Sequence, residues 1–494
     1  MRNIKFTSVF FSVIFLFLML NLQVTAVKTC NSQSNNQDKV FMAGAAKSNI
    51  TPFLGGGIVG NFGDPPPAMH VHDELHAKCL ALDDGKTKIL FIVVDIIGLN
   101  TNLTEEAKRI ISEETGVPAG NVMISAIHTH SATSAQGEGD RRRKWSVGEP
   151  FDEYQKFVIR RLADVARIAL NNLEPARIGW GKGSVPEHVF VRRWLMKPDA
   201  QVINPFGGQD KVRTNPGRNN PDLLEPAGKP DPEVSFISVQ SKEGRPLALL
   251  ANYGLHYVGG VPRNHISADY FAVFSDRIQE LLKADRQVPP FIGIMSNGTS
   301  GNVNNVNFAG PAEKHEPYEK MRIVAEDVAR EVFRAHSRIE FHDWVQLGAI
   351  QEVIKLEVRK PDRKTIEWAE DVLKRPDNVK PVHSNEVAYA GRVLNLLDYP
   401  DQMDVVLQSF RIGDLGVATI PFETFAETGM EIKEKSPFKS TFVIELANGY
   451  NGYLPTPEQH ELGGYETWLS TSKVEKDASV KIVAKLLNQL SSLK

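Results

Sequence analysis

Val122-Met123-Ile124-Ser125-Ala126-Ile127-His128-Thr129-His130-Ser131 is the stretch that decides how this chain is read. Its first six residues are apolar or small and read as a strand buried on both faces. Two histidines one residue apart follow at the carboxyl end. In an extended segment residues two apart point the same way, so both imidazoles leave the strand end together. Neutral imidazole is the commonest nitrogen ligand of zinc, and a pair on one face is half a site. The other half has to come from elsewhere in the chain.

Upstream, Cys79-Leu80-Ala81-Leu82, Asp83-Asp84-Gly85 and Ile89–Val94 read as a hairpin whose second strand is buried on both faces and closes at Asp95. A helix is expected from Thr104 to about Thr115, stopped by Gly116 and Pro118. Helical spacing recurs over Phe151–Leu173, Asp269–Leu282, Glu316–His336, Thr365–Lys374 and Ala478–Leu490. Asp269 is expected as a helix N-cap. Strand-like runs appear at Ser235–Gln240, Leu247–Tyr253, Phe291–Met295 and, as a hairpin, at Phe410–Ile412 with Leu415–Ile420. Residues 195–232 are rich in Pro, Gly and Asn and read as a long loop of functional or lid-like kind. Strands and helices alternate without an internal repeat, which predicts an α/β fold with a mixed sheet core and flanking helices.

The placement of polar groups repeats. His128, His256, Ser300 and Glu423 each fall just past the carboxyl end of an apolar strand. Ligands of open α/β sheets bind outside those ends, so four groups placed alike can converge. Two His and one carboxylate are a known ligand set for catalytic zinc. His70, His72, Asp73 and His76 form a second cluster, where a metal reading competes with an edge strand entering the sheet.

Composition narrows the alternatives. Lys and Arg number 57 against 60 Asp and Glu, and no long basic run occurs, which argues against nucleic acid as a partner. Arg141-Arg142-Arg143-Lys144 reads as a solvated loop. With 2 Cys in the chain, a thiolate metal site and a disulfide framework are both excluded. Cys79 sits in an apolar run and reads as core.

Arg2 and Lys5 precede an apolar run from Val9 to Leu20, and Val24-Thr25-Ala26 offers a small-residue cleavage site. Residues 1–26 are therefore expected to be a signal peptide, 27–40 a flexible tether and 41–494 the catalytic domain of an exported, periplasmic or secreted protein. Lipid attachment at Cys30 is not expected, because Lys28 stands where a lipobox needs a small or apolar residue. Of three Asn-x-Ser/Thr sequons (Asn49, Asn102, Asn297) the last lies beside Ser300, where a glycan would block access.

The chain resembles the catalytic domain of neutral/alkaline (non-lysosomal) ceramidases, which are zinc amidases. The resemblance runs from about Ala43 to about Trp468. It rests on Ile50-Thr51-Pro52, Val94-Asp95-Ile96, His128-Thr129-His130-Ser131 and Asn252–His256. It continues through Ser300-Gly301-Asn302, Pro421-Phe422-Glu423-Thr424, Asn448–Tyr453 and Tyr465-Glu466. It implies Zn2+ held by His128, His256, Glu423 and Tyr453. Ser300 matches a serine that takes part in amide cleavage, as nucleophile or as an aid to a zinc-bound water. His130 matches a proton-handling histidine. Arg192, with Arg193 as the alternate register, matches an arginine that contacts the substrate. Tyr465 matches a tyrosine that bonds the reacting carbonyl or the intermediate. The substrate so implied is an N-acyl lipid such as ceramide, with room for peripheral contact with a membrane.

Metal-assisted acyl transfer would use the zinc to polarise the carbonyl and to lower the pKa of bound water to about 7. His130 or Ser300 would protonate the leaving amine, and Tyr465 would stabilise the oxyanion. Two departures bear on the substrate. The family carries a further β-sandwich domain after the catalytic one. Its serine loop also has Pro where this chain has Gly301, and an Asp before the serine that this chain lacks. Both leave the metal site intact and open the substrate to another amide or ester, such as an N-acyl or O-acyl sugar. A binding protein of the same fold would be marked by a missing ligand, and none is missing.

Overall fold

Ala77–Leu82 and Ile89–Val94 are buried along their length in the computed structural model, and they pair as the expected hairpin. The structure describes residues 39–60, 65–133, 135, 150–376 and 378–494. The expected signal peptide, the tether up to residue 38, Cys30 and the basic run at 141–144 lie outside the described residues.

Eight strands form the main sheet. They are β1 (Met42–Asn49), β2 (His76–Asp83), β3 (Lys88–Val94), β4 (Val122–Ala126), β5 (Glu174–Ser184), β6 (Glu233–Ser241), β7 (Pro246–Tyr253) and β8 (Ile292–Asn297). Their spatial order is β8-β7-β6-β5-β1-β2-β3-β4. A second sheet holds β9 (Leu347–Glu357), β10 (Gln402–Ile412), β11 (Leu415–Ile420) and β12 (Ser440–Glu445) in that order. Most neighbours are antiparallel. Three pairs are parallel: β3 with β4, β7 with β8, and β11 with β12. Each parallel pair brings two carboxyl ends side by side, and these ends carry the site.

The sheets are joined at β4. The amide of Ala126 donates to Leu446 at 3.1 Å, and that of Asn448 donates to Ile124 at 2.7 Å. Phe91 of one sheet meets Phe410 of the other edge-on, within one continuous core. Helices cover the outer faces: α1 (Thr101–Thr115), α2 (Glu153–Asn171), α3 (Asp269–Leu281) and α4 (Glu319–His336) around the main sheet. Then come α5 (Arg363–Lys374), α6 (Glu386–Asn395), α7 (Ala426–Lys435) and α8 (Ala478–Leu493). Local chemistry explains several boundaries. Asp152 and Gln155 close a reciprocal capping box at the start of α2. Gly116 ends α1 in the left-handed conformation, at φ 72°. The fold is thus a mixed α/β architecture, and Val40–Lys494 form one compact unit.

Three local expectations are corrected. Residues 195–232 are not a plain loop: Arg193–Met196, Val212–Thr214 and Leu223–Pro226 form a small three-stranded sheet. Asp269 does not cap α3 but opens it, at φ 56°. It is buried and accepts the amides of Val258 at 3.1 Å and Gly259 at 2.8 Å, so it anchors the loop after His256. The strand before the two histidines ends at Ala126, and His128 adopts a left-handed φ of 69°. Simple alternation therefore does not bring the imidazoles together; a strained turn does.

Candidate active site

The turn at His128 is held from below. Ile127 and His128 donate their amides to Val94 and Ile96, which extends the β3–β4 ladder past its end. The Nδ1 of His128 lies 2.7 Å from the carbonyl of Ile97. A carbonyl only accepts, so Nδ1 carries the proton and Nε2 presents a lone pair. His256 repeats this: its Nδ1 faces the carbonyl of Ser300 at 3.3 Å, and its Nε2 points into the site. Asn297 reaches from β8 to the carbonyls of Ile127 and His256, linking the two histidine segments. Asn297 is fully buried, so its sequon is not a glycan acceptor in the folded protein.

The third parallel pair supplies the carboxylate. Beyond β11 and β12, Glu423-Thr424 and Tyr453-Leu454 form a short parallel ladder in which Glu423 sits opposite Tyr453. Glu423 Oε2 lies 3.4 Å from His128 Nε2 and 3.5 Å from His256 Nε2. His130 Nε2 lies 3.2 Å from His128 Nε2. Ligand bonds of about 2.0–2.1 Å at tetrahedral angles put zinc ligands about 3.3 Å apart. The observed edges match that spacing.

Three buried atoms of the cluster are orphaned: His130 Nδ1, His256 Nε2 and Glu423 Oε2 make no hydrogen bond. Lone pairs of two neutral imidazoles facing a carboxylate repel unless a cation lies between them. His130 and His256 are held well below the ordinary histidine pKa, first by burial and then by His128, which keeps them in the neutral form that binds metals. Burial pushes Glu423 up, but a positive charge at His128, whose place a bound metal ion would take, and the hydroxyls of Tyr450 and Tyr453 outweigh it and bring it to about 2. The cluster can hold a metal ion. Among the described residues His128, His130 and His256 are the one group of three such ligands within mutual reach, and the 70–76 cluster is not another.

His130 lies flat on the ring of Tyr257, centroids 3.9 Å apart. Its other face is met by Gly60, where a Cβ would stand 2.6 Å from the imidazole. The Tyr453 hydroxyl accepts a 2.8 Å bond from Arg192, whose guanidinium also bonds Glu466 at 3.0 Å and the Gly301 carbonyl at 2.8 Å. Arg193 turns away to Glu466, Gln459 and Gly463. Of the two arginines, Arg192 reaches the cluster, through the Tyr453 hydroxyl. Tyr465 lines the cleft above, its ring 5.5 Å from that of Tyr453.

Ser300 is placed differently from an exposed loop serine. It is fully buried, and its Oγ donates a 2.6 Å bond to Glu445. Glu445 also accepts the amide of Thr424 at 2.7 Å, and burial pushes it up to about 8. Gly301 packs against the backbone of Glu423, where a Cβ would come within 2.5 Å of the carbonyl oxygen. Its amide donates to Thr424 at 2.8 Å, a bond proline could not make. Sequence reasoning gave no role to Tyr450, Glu445 or Glu466. Tyr450 donates a 2.6 Å bond to Glu423 Oε1. The signal for Glu445 was available, since it ends an apolar strand as a lone carboxylate.

These features define a mixed-sheet α/β protein with a buried imidazole–carboxylate cluster at the carboxyl ends of its parallel strand pairs. The fold is that of neutral ceramidases. The crystal structure of the neutral ceramidase from Pseudomonas aeruginosa superposes with a TM-score of 0.65 at 14% identity, covering 92% of this chain and 75% of that one. A ceramidase complexed with C2 gives a TM-score of 0.66 at 14% identity with the same coverage. No protein-family model matches the sequence.

Proposed function

We propose that this chain is an exported zinc-dependent amidohydrolase that cleaves an N-acyl amide, with ceramide-like lipids as the first substrates to test. The observation that carries this is the pair of orphaned buried atoms, His256 Nε2 and Glu423 Oε2, set one tetrahedral edge apart beside His128. His128, His256, Glu423 and Tyr453 are the residues that would hold the ion. When bound, zinc supplies Lewis-acid polarisation of the carbonyl and a water acidic enough to ionise near neutral pH.

The remaining steps belong to side chains. Arg192 fixes the Tyr453 hydroxyl by a hydrogen bond; burial pushes that phenol well above its ordinary pKa, and Arg192 opposes the push. His130, kept neutral by burial, can take the proton released by the attacking water and pass it to the leaving amine, ending neutral as it began. Tyr465 lines the cleft, where its hydroxyl would bond the developing oxyanion. Ser300 acts from behind: its carbonyl sets the His256 tautomer and its hydroxyl holds Glu445. Export follows from the expected signal peptide, and no helix among the described residues is long and apolar enough to cross a membrane.

The experiment is metal content by mass spectrometry together with hydrolysis of fluorogenic ceramide and a panel of N-acyl and O-acyl sugars. About one zinc per chain is expected, with amide turnover that falls at least about 1000-fold in Glu423→Ala and His128→Ala, since the lost electrostatic stabilisation is several kcal/mol. Full turnover in either variant would overturn the reading.

A further inference from the structure

Glu445 ends β12, paired with Ile420 of β11, and segments that carry the candidate metal ligands gather around it. Its side chain is wholly buried and is not among the residues that line the cleft. Oε1 accepts the Ser300 hydroxyl at 2.6 Å. Oε2 accepts two backbone amides, that of Ser300 at 3.2 Å and that of Thr424 at 2.7 Å. Ser300 belongs to the loop after β8, and Thr424 to the segment after β11. The next residue takes in a third segment: the Leu446 carbonyl accepts the amide of Ala126, two residues before His128.

The two segments bonded by Glu445 each govern one ligand. Ser300 presents its carbonyl to Nδ1 of His256 at 3.3 Å, so the imidazole follows the position of Ser300. Thr424 directly follows Glu423, and its carbonyl accepts the Gly301 amide at 2.8 Å. One carboxyl thus stands behind His256 and Glu423, and reaches each through a single intervening residue. The ligand atoms it stands behind, His256 Nε2 and Glu423 Oε2, lie 3.5 Å apart. Burial works against an ionised carboxyl here, and the charge of Glu423 works the same way. Nearby segments are joined by neutral amides instead: Asn297 donates to the carbonyls of Ile127 and His256, and Asn302 accepts the amide of Ala426 at 2.9 Å. At Glu445 three donors converge on one side chain, and a carboxyl answers them with two accepting oxygens.

We propose that Glu445 is a positioning residue of the metal centre: by holding Ser300 and Thr424 together it sets the spacing of His256 and Glu423 for the ion. This rests on the reading of the cluster as a zinc centre. Glu445 acts by reach and not by charge, which decides what can replace it. Glutamine has the same reach. Its carbonyl oxygen can take both amides, and its NH2 group can donate to the Ser300 hydroxyl, which then accepts. Aspartate keeps the charge but is one methylene shorter. Its oxygens are drawn back by about 1 Å, out of bonding reach of one of the two segments.

The test compares the full chain with Glu445→Gln, Glu445→Asp, Ser300→Ala and Leu162→Ala. Leu162 is a fully buried residue of α2, and its truncation shows what a loss of stability alone does to the site. Zinc affinity is read by competition with a chromogenic chelator, and ligand geometry by the visible spectrum of the cobalt-loaded protein. Chemical denaturation of each metal-free variant reads its folding. Zinc is expected to bind Glu445→Asp about 10–100-fold more weakly than the wild type, with an altered cobalt spectrum, and to bind Glu445→Gln and Leu162→Ala within about threefold. Ser300→Ala releases one oxygen of Glu445 and is expected to alter the spectrum in the same sense with a smaller loss of affinity. Wild-type affinity and spectrum in Glu445→Asp, or in Ser300→Ala where Glu445→Asp does not fold, would overturn the proposal. So would an equal loss in Glu445→Gln, which would make charge the cause, or in Leu162→Ala, which would make stability the cause. A wild type that takes up no zinc sinks the zinc reading and this role together. Zinc bound alike by every variant sinks the role of Glu445 and leaves that reading standing.

Discussion

Two buried charged clusters lie on either side of the Arg192–Arg193 peptide, and they are finished to different degrees. In the Arg193 cluster every charge is answered: Glu466 accepts from Arg192, Arg193 and Thr214, and Arg193 spends its remaining donors on Gln459 and Gly463. In the His128 cluster His256 Nε2 and Glu423 Oε2 have no partner. Both clusters are equally dry, so both would be equally penalised for an unmet bond. The difference teaches which one is complete as a piece of architecture and which one is built around something else. The arginine pair straddles the boundary, with one guanidinium serving each side.

The largest effect that would break this contrast is on stability. Arg193→Ala leaves the Glu466 carboxylate buried beside a hole, and removing one partner of a buried pair costs about 3–5 kcal/mol. Chemical denaturation should show that loss with the metal present or absent. Arg192→Ala should keep more of the stability, because Arg193 and Thr214 still hold Glu466. Its loss should fall on metal affinity, through a Tyr453 hydroxyl no longer fixed. Equal destabilisation by both variants, with metal binding untouched in Arg192→Ala, would erase the distinction.

A smaller effect sharpens it from the other side. Tyr450 touches Glu423 Oε1 and leaves Oε2 to the cluster. Outer partners of metal ligands typically contribute 10–100-fold in affinity, so Tyr450→Phe should weaken zinc by roughly that factor. Competition with a chromogenic chelator measures it. An unchanged affinity would mean that Tyr450 packs against Glu423 without orienting it.

How much of this was legible in the sequence follows from the same division. Strand ends were legible: the apolar runs before His128, His256, Ser300 and Glu423 are buried in the sheets, and the side chains of His128, His256 and Glu423 meet, while Ser300 touches them through its carbonyl and turns its hydroxyl to Glu445. The pairing that makes them meet was not, because three parallel pairs distributed over two sheets are long-range facts that no local pattern carries. His128 shows the limit well. Extended alternation was the reason to pair it with His130, yet the chain leaves the strand at Ala126 and turns left-handed at His128. Ser300 shows the opposite limit: its Gly-rich flanks read as an exposing loop, while Gly301 serves to let the loop lie against the backbone of Glu423. The polar partners missed entirely, Tyr450 and Glu445, become meaningful only once their neighbours in space are known.

The smallest expected effect is a pH dependence, and its sign discriminates the two clusters. Burial pushes Glu466 up, but Arg193, Arg192 and the Thr214 hydroxyl outweigh it and hold its carboxyl below the ordinary value of 4.5. A carboxyl whose pKa is lower in the folded state stabilises fully above its unfolded pKa. The unfolded chain binds the proton first as pH falls, so the contribution is lost from about pH 4.5 downward. The stability of the wild type should therefore decline with acid below about pH 4.5, and the variant Glu466→Gln, whatever its lower starting stability, should decline less steeply there. The two slopes are read from denaturation midpoints taken at half-unit steps. Parallel slopes would mean that Glu466 draws no net advantage from its two arginines, and the closed cluster would then be as unfinished electrostatically as the open one.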